Sequence, residues 1–230
     1  MAVLELINLK KSFATPDGPR HTVVDVPTFT LEAGQQVALR GSSGSGKTTL
    51  LNLIAGILQA DSGQVLLSGT DLTRLSEAAR DRARAHQIGY VFQTFNLLQG
   101  CTALENVALA TMFGAGANYP RAAELLEKVG LKDRMHYRPR QLSIGQQQRV
   151  AVARALANKP ALVLADEPTG NLDQRNARES LKLIRDNCRE CNAALLLVSH
   201  DRDILAAFET VQDLAEINLA GRTDSREVAA

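Results

Sequence analysis

Apolar and polar residues alternate over residues 3–9, the period of a strand with one buried face. Residues 22–31 hold a second β-rich run behind the turn-like Thr15-Pro16-Asp17-Gly18-Pro19. Together they predict an N-terminal antiparallel β part. Residues 36–40 form a short strand pattern that runs into a loop of glycine and serine, after which residues 48–60 have the apolar density of a buried helix. Further strands are expected at 64–67, 87–92, 162–165 and 194–199, with helical stretches between them, the alternation of a mostly parallel sheet. Between about 93 and 160 no strand pattern appears. There, 121–129 closed by Gly130 and 146–158 stopped by Pro160 read as helices. The pattern describes an α/β fold in one domain over 1–230: a core from 1–92 and 161–220, a helical subdomain inserted at about 93–160, and a polar tail, 221–230, expected to fray.

Composition narrows the classes. With 45% hydrophobic residues, 22% charged residues and 26 Lys+Arg against 25 Asp+Glu, the chain is globular and nearly neutral at +1. This excludes disorder and argues against a basic field for gripping nucleic acid, so no nucleic-acid partner is expected. Aromatic residues make up 4%, too little for a platform that stacks single-stranded bases. Cys101, Cys188 and Cys191 are too few to staple a fold of this size, which fits a reducing compartment. Glu5 interrupts the apolar start, so a signal peptide is not expected. The longest uncharged stretch, 85–104, is broken by His86, Gln87, Gln93, Thr94, Asn96 and Gln99, and direct membrane insertion is not expected either.

The strongest local signal is Gly41-Ser42-Ser43-Gly44-Ser45-Gly46-Lys47-Thr48-Thr49, a full match to the phosphate-binding loop in its strand-to-helix setting. Its glycines let backbone N–H groups converge on phosphate oxygens at the positive end of a helix. Lys47 is placed to neutralise the outer phosphates and the Thr48 hydroxyl to ligate Mg2+. The apolar run 161–165 then delivers two carboxylates. Asp166 is placed to hold the Mg2+ shell and Glu167 to polarise the water that attacks the terminal phosphate.

Leu142-Ser143-Ile144-Gly145-Gln146-Gln147-Gln148-Arg149 begins with a good helix N-cap, Ser143, which stands 23 residues before Asp166. Alone, this is either a capped surface helix or a second anion site. In combination with the phosphate loop and the two carboxylates it resembles the signature segment of ATP-binding cassette (ABC) ATPases, and the resemblance covers nearly the whole chain. It implies a P-loop NTPase core whose cofactors are ATP and Mg2+. It also implies a homodimer in which two copies pair head to tail, so that Ser143, Gly145 and Gln146 of one copy close on the nucleotide of the other. Phe13 is similar in position to the aromatic that stacks on adenine. Gln93 resembles the glutamine that senses the metal and the permease, Asp173 in Gly170-Asn171-Leu172-Asp173 the residue linking paired sites, and His200 the switch histidine at the terminal phosphate. His200 follows an apolar strand 34 residues after Asp166; on its own such a histidine is more often a surface or core residue.

Two departures from the family pattern stand out. The signature usually reads Ser-Gly-Gly-Gln, but Ile144 replaces the first glycine and disfavours positive φ there. Phe13 stands where many members have tyrosine. Within the family, residues 91–98, 102–107 and 165–173 look most like the ATPases of lipoprotein-releasing, macrolide-export and glycolipid-export systems. That likeness implies a subunit on the cytoplasmic face of the inner membrane, peripheral through a permease and moving an amphipathic cargo. The alternative is a non-transport ABC ATPase that drives a cell-division membrane partner or a soluble one. Phe95, Leu97 and Leu98 have no clear period and either pack inside the helical subdomain or line the groove that receives the permease. Cys188 and Cys191 have the spacing of half a zinc site, yet Cys188 is in phase with Leu181 and Ile184 and reads as core packing.

Overall fold

A computed structural model describes residues 1–15, 18–112 and 116–220. The expected turn at Pro16-Asp17 and the tail at 221–230 lie outside the described residues. Strand β1 (Ala2–Thr15) pairs antiparallel with β2 (Gly18–Glu32), and the register Leu4↔Leu31 to Leu9↔Val26 aligns their apolar positions. Leu4, Leu6, Leu9, Val24, Val26 and Leu31 are fully buried as a result. Next come β3 (Gln36–Arg40), helix α1 (Lys47–Ile54), β4 (Ser62–Leu67) and β5 (Thr70–Asp71), of which β4 and β5 complete an antiparallel sheet of order β2-β1-β4-β5.

Helix α2 (Glu77–Gln87) buries no residue and leads to β6 (Ile88–Val91). Helices α3 (Ala103–Met112), α4 (Tyr119–Lys128) and α5 (Ile144–Ala155) follow, with no strand between them among the described residues, then β7 (Leu162–Asp166). Helix α6 (Gln174–Glu190), β8 (Ala194–Ser199), α7 (Arg202–Leu205), β9 (Thr210–Asp213) and α8 (Leu214–Ile217) end the described chain. The second sheet has the order β6-β7-β8-β3-β9 with every neighbour parallel. All residues of β7 and β8 are buried, as strands covered on both faces must be. Alternate side chains serve two cores. Leu196 and Val198 pack with α1 and the antiparallel sheet, whereas Leu195 and Leu197 pack with α6 and the helices α3 to α5.

Several boundaries move relative to the sequence pattern. The helix expected over 48–60 stops at Ile54 because the chain turns at Ala55 and Gly56, the latter at φ 64°. The second strand begins at Gly18, since pairing with β1 extends it beyond its apolar run. The helix expected from 146 begins at Ile144, directly after its cap. Strand β9 carried no sequence signal, being four residues long and only partly buried. Phe95 and Leu97 are buried in the helical-side core, whereas Leu98 is 53% exposed. Cys188 is fully buried in the same core beside Leu181 and Ile184.

Candidate active site

Strand β3 ends at Arg40 and releases the chain into the glycine loop ahead of α1. Gly44 and Gly46 adopt φ of 78° and 88°, conformations that cost glycine nothing. At Gly46 space is lacking as well, because a Cβ would lie 2.9 Å from the Val23 carbonyl oxygen. Gly46 caps α1 without a side chain, leaving the first-turn N–H groups free of side-chain acceptors. Ser42, Ser43, Gly44, Gly46, Lys47, Thr48 and Thr49 line a cavity of about 300 Å³, closed on the other sides by Val23, Gln93, Asp166, Glu167 and His200. The buried Lys47 ammonium donates to Gly41 O at 2.7 Å and Ser42 O at 3.0 Å and stands 3.2 Å from Glu167 Oε1. Gly41 thus holds the lysine from behind, and Ser45 Oγ turns back to Ser42 O at 2.8 Å.

The two carboxylates are buried side by side but face different donors. Burial pushes the Asp166 carboxyl above its ordinary value, opposed by a hydrogen bond from the Thr48 hydroxyl, while the neighbouring Glu167 charge adds to the rise. Burial also acts upward on Glu167, but hydrogen bonds from His200, Ser199 and Lys47 together outweigh it and hold Glu167 below the usual carboxylate value. Ser199 Oγ donates to Oε2 at 2.9 Å and His200 Nδ1 donates to Oε1 at 2.6 Å. Glu167 itself sits at φ 43°, with its N–H donated to Val198 O at 3.0 Å. Gln93 is tied to the segment after β7 by Asn171 Nδ2, which donates to Gln93 O at 2.9 Å.

The structure therefore gathers the phosphate loop, Gln93, Asp166, Glu167 and His200 around one cavity. The remaining sequence-derived residues lie elsewhere. Phe13 is 41% exposed and pairs with His21, two residues before the cavity-lining Val23. Ser143, Gly145 and Gln146 form the N-terminus of α5. Gln146 N donates to Ser143 Oγ at 3.3 Å, and Ser143 N donates to Gln146 Oε1 at 3.0 Å, a reciprocal capping box. Asp173 caps α6 and accepts from Asn176 N at 3.0 Å. These two helix ends touch, since a Cβ on Gly145 would stand 3.2 Å from Asn176 Oδ1. Ile144 is the first residue of α5 and is absent from the positive-φ positions, so the departure at 144 costs no backbone strain; its side chain is 54% exposed. Sequence reasoning missed Val23 and Ser199. Val23 gave no signal, and for Ser199 the sole hint was its place before His200 at the end of an apolar run.

Residues 24–170 match the family model described as "ABC transporter". The chain is 44% identical over 215 residues to "Lipoprotein-releasing system ATP-binding protein LolD 2" of Chlorobaculum tepidum, covering 90% of this chain and 87% of that protein. It is 41% identical over 222 residues to LolD of Pseudomonas fluorescens, covering 95% and 97% of the two chains. Against "Macrolide export ATP-binding/permease protein MacB" of Rhodopirellula baltica the identity is 42%, over 88% of this chain but 30% of that longer protein. A solved dimeric ATP-binding cassette in a post-hydrolysis state, bound to ADP and Pi, superposes with a TM-score of 0.83 at 34% identity, over 91% of this chain and 93% of that one. The chain belongs to the ABC transporter family and is an ATP-binding, ATP-hydrolysing cassette of the LolD and MacB type.

Proposed function

We propose that two copies of this chain, each a single cassette with its helical subdomain at about 93–160, close head to tail around two Mg-ATP and drive a separate membrane permease. The observation that carries the reading is the convergence of Lys47, Thr48, Asp166, Glu167 and His200 on one cavity at the N-terminus of α1. The loop N–H groups and Lys47 bind the phosphates. Phe13 stacks on the adenine, and its exposed ring on the strand beside Val23 supports that role. The Thr48 hydroxyl and the Asp166 carboxylate are hard oxygen donors that line the same cavity beside the phosphate loop, which fits a small divalent cation. Thr48, Asp166 and Gln93 would hold Mg2+, which when bound offsets the charge of the phosphates.

Glu167, kept ionised by its donors, takes the proton of the attacking water, and His200 reaches toward the terminal phosphate. Ser143, Gly145 and Gln146 lie outside the chain's own cavity at a capped helix end, which supports their acting on the nucleotide of the second copy, with Asp173 beside them as the link. Among the described residues no helix is long and apolar enough to cross a membrane. Attachment to the cytoplasmic face of the inner membrane is accordingly through the permease. The relatives' names point to a cargo of lipoprotein or macrolide type.

Glu167→Gln tests this reading. The variant should bind ATP, lose turnover by about 10² to 10⁴-fold, and accumulate as an ATP-bound dimer on gel filtration with Mg-ATP. Turnover near that of the wild type would remove Glu167 from its assigned role.

A further inference from the structure

Among the described residues lining the cavity, Glu167 is the only non-glycine whose backbone lies in the left-handed region, and a fixed backbone leaves three side-chain torsions to be set by hydrogen-bond partners. The two carboxylate oxygens are held unequally. Oε1 is shared by Lys47 and His200. Lys47 is also bonded to the carbonyls of Gly41 and Ser42, and His200 is 69% exposed; in the function proposed above both turn to phosphate. Oε2 has a different holder. Ser199 is 1% exposed at the last position of β8, and its Oγ accepts from Asp201 N at 3.1 Å, which leaves the hydroxyl proton directed at Oε2, 2.9 Å away. One residue earlier, Val198 O accepts the Glu167 N–H, so the end of β8 grips both the backbone and the side chain of this glutamate.

We propose that Ser199 is a positioning residue for ATP hydrolysis: its buried hydroxyl holds Glu167 through Oε2 and keeps Oε1 facing the cavity, where the attacking water must lie. The inference rests on the reading of Glu167 as the base. A hydrogen bond from a buried hydroxyl to a carboxylate is among the stronger kind, and its loss frees a side chain whose placement sets the rate of proton transfer.

Steady-state ATPase kinetics on the full chain provide the test. Ser199→Ala should lower kcat by about 10-fold or more while KM for ATP stays within about twofold, because the residue touches the base and not the nucleotide. Ser199→Thr keeps the hydroxyl and should return kcat to within about threefold of wild type. Added to Glu167→Gln, Ser199→Ala should cost less than about a further twofold, since its effect passes through the carboxylate. The proposal is overturned by unchanged kcat in Ser199→Ala, by a raised KM at constant kcat, or by an equal loss in the Glu167→Gln background. Loss of nucleotide binding in both Ser199→Ala and Ser199→Thr would also overturn it, marking the serine as part of the scaffold alone. Near wild-type turnover by Glu167→Gln by itself would instead strike the underlying assignment of the base.

Discussion

Asp166 and Glu167 are adjacent and both buried, yet their carboxyls move in opposite directions because of their donors. Asp166 has the Thr48 hydroxyl against burial and the Glu167 charge, and it rises. Glu167 has three donors, and it falls. The proposed role of Glu167 as the base needs a carboxylate that is both ionised and aimed, and the same hydrogen bonds serve both. Cys188 shows what burial does when such donors are missing. Desolvation, with a smaller contribution from Cys191, pushes its thiol up to about 12, and the side chain is fully enclosed by the helical-side core. Cys191, three residues on, is exposed. In native protein a maleimide should therefore modify Cys191 and leave Cys188 untouched until denaturant is added, a difference that mass spectrometry can read because trypsin cleaves between them at Arg189. Modification of Cys188 at a rate similar to that of Cys191 would contradict its enclosure.

Among the elements, legibility followed whether the signal was local. Strands β7 and β8 are continuous apolar runs, and the phosphate loop is one contiguous motif in its strand-to-helix setting, so each could be read directly from the sequence. Strand β9 could not, because it is held by pairing with β3 more than by its own pattern. Ser199 was equally invisible as a site residue: its partner Glu167 lies 32 positions away and the two meet only when β8 pairs with β7. The stretch 93–100 shows the same limit. Its apolar residues follow no period because Phe95 and Asn96 take positive φ, with Arg154 of α5 donating to both carbonyls at 2.6 Å. That irregular backbone turns Leu97 inward and leaves Leu98 outward. Leu97→Ala should accordingly destabilise the cassette by about 2–4 kcal/mol in denaturant melts, as buried Leu→Ala changes do. Leu98→Ala should stay within about 0.5 kcal/mol. If this segment meets the permease, Leu98→Ala is the variant that should weaken a permease pull-down while basal ATPase activity stays within a few-fold of normal. A stable Leu97→Ala, or a strongly destabilised Leu98→Ala, would reverse the assignment of the two side chains.

At the scale of the whole molecule, the chain carries two anion-directed features that do not meet. One is the cavity at α1, built from the phosphate loop and the carboxylates. The other is the exposed N-terminus of α5, capped by Ser143 and braced against the N-terminus of α6 through Gly145 and Asn176. A helix end with oriented N–H groups is suited to phosphate, and the head-to-tail pair proposed above would bring each such end to the cavity of the other. The separation can be tested by mixing defects. Lys47→Ala removes the cation of the cavity and leaves the α5 end intact. Ser143→Arg blocks the α5 end and leaves the chain's own cavity intact, so its nucleotide affinity as a monomer should be nearly unchanged. Ser143→Ala, which loses the cap at a cost of about 1 kcal/mol but adds no bulk, separates helix destabilisation from blockage in thermal melts. Each of the two defective chains should be inactive by itself. Mixed at equal amounts, half of the dimers would pair one of each, and in those dimers the Lys47 of the Ser143→Arg chain faces an intact Ser143. One composite site is then whole and the other is doubly broken. If composite sites hydrolyse independently, activity should return to about a quarter of the wild-type value. If each site completed itself within one chain, the mixture would show no gain over its components, because neither chain holds a complete set of its own.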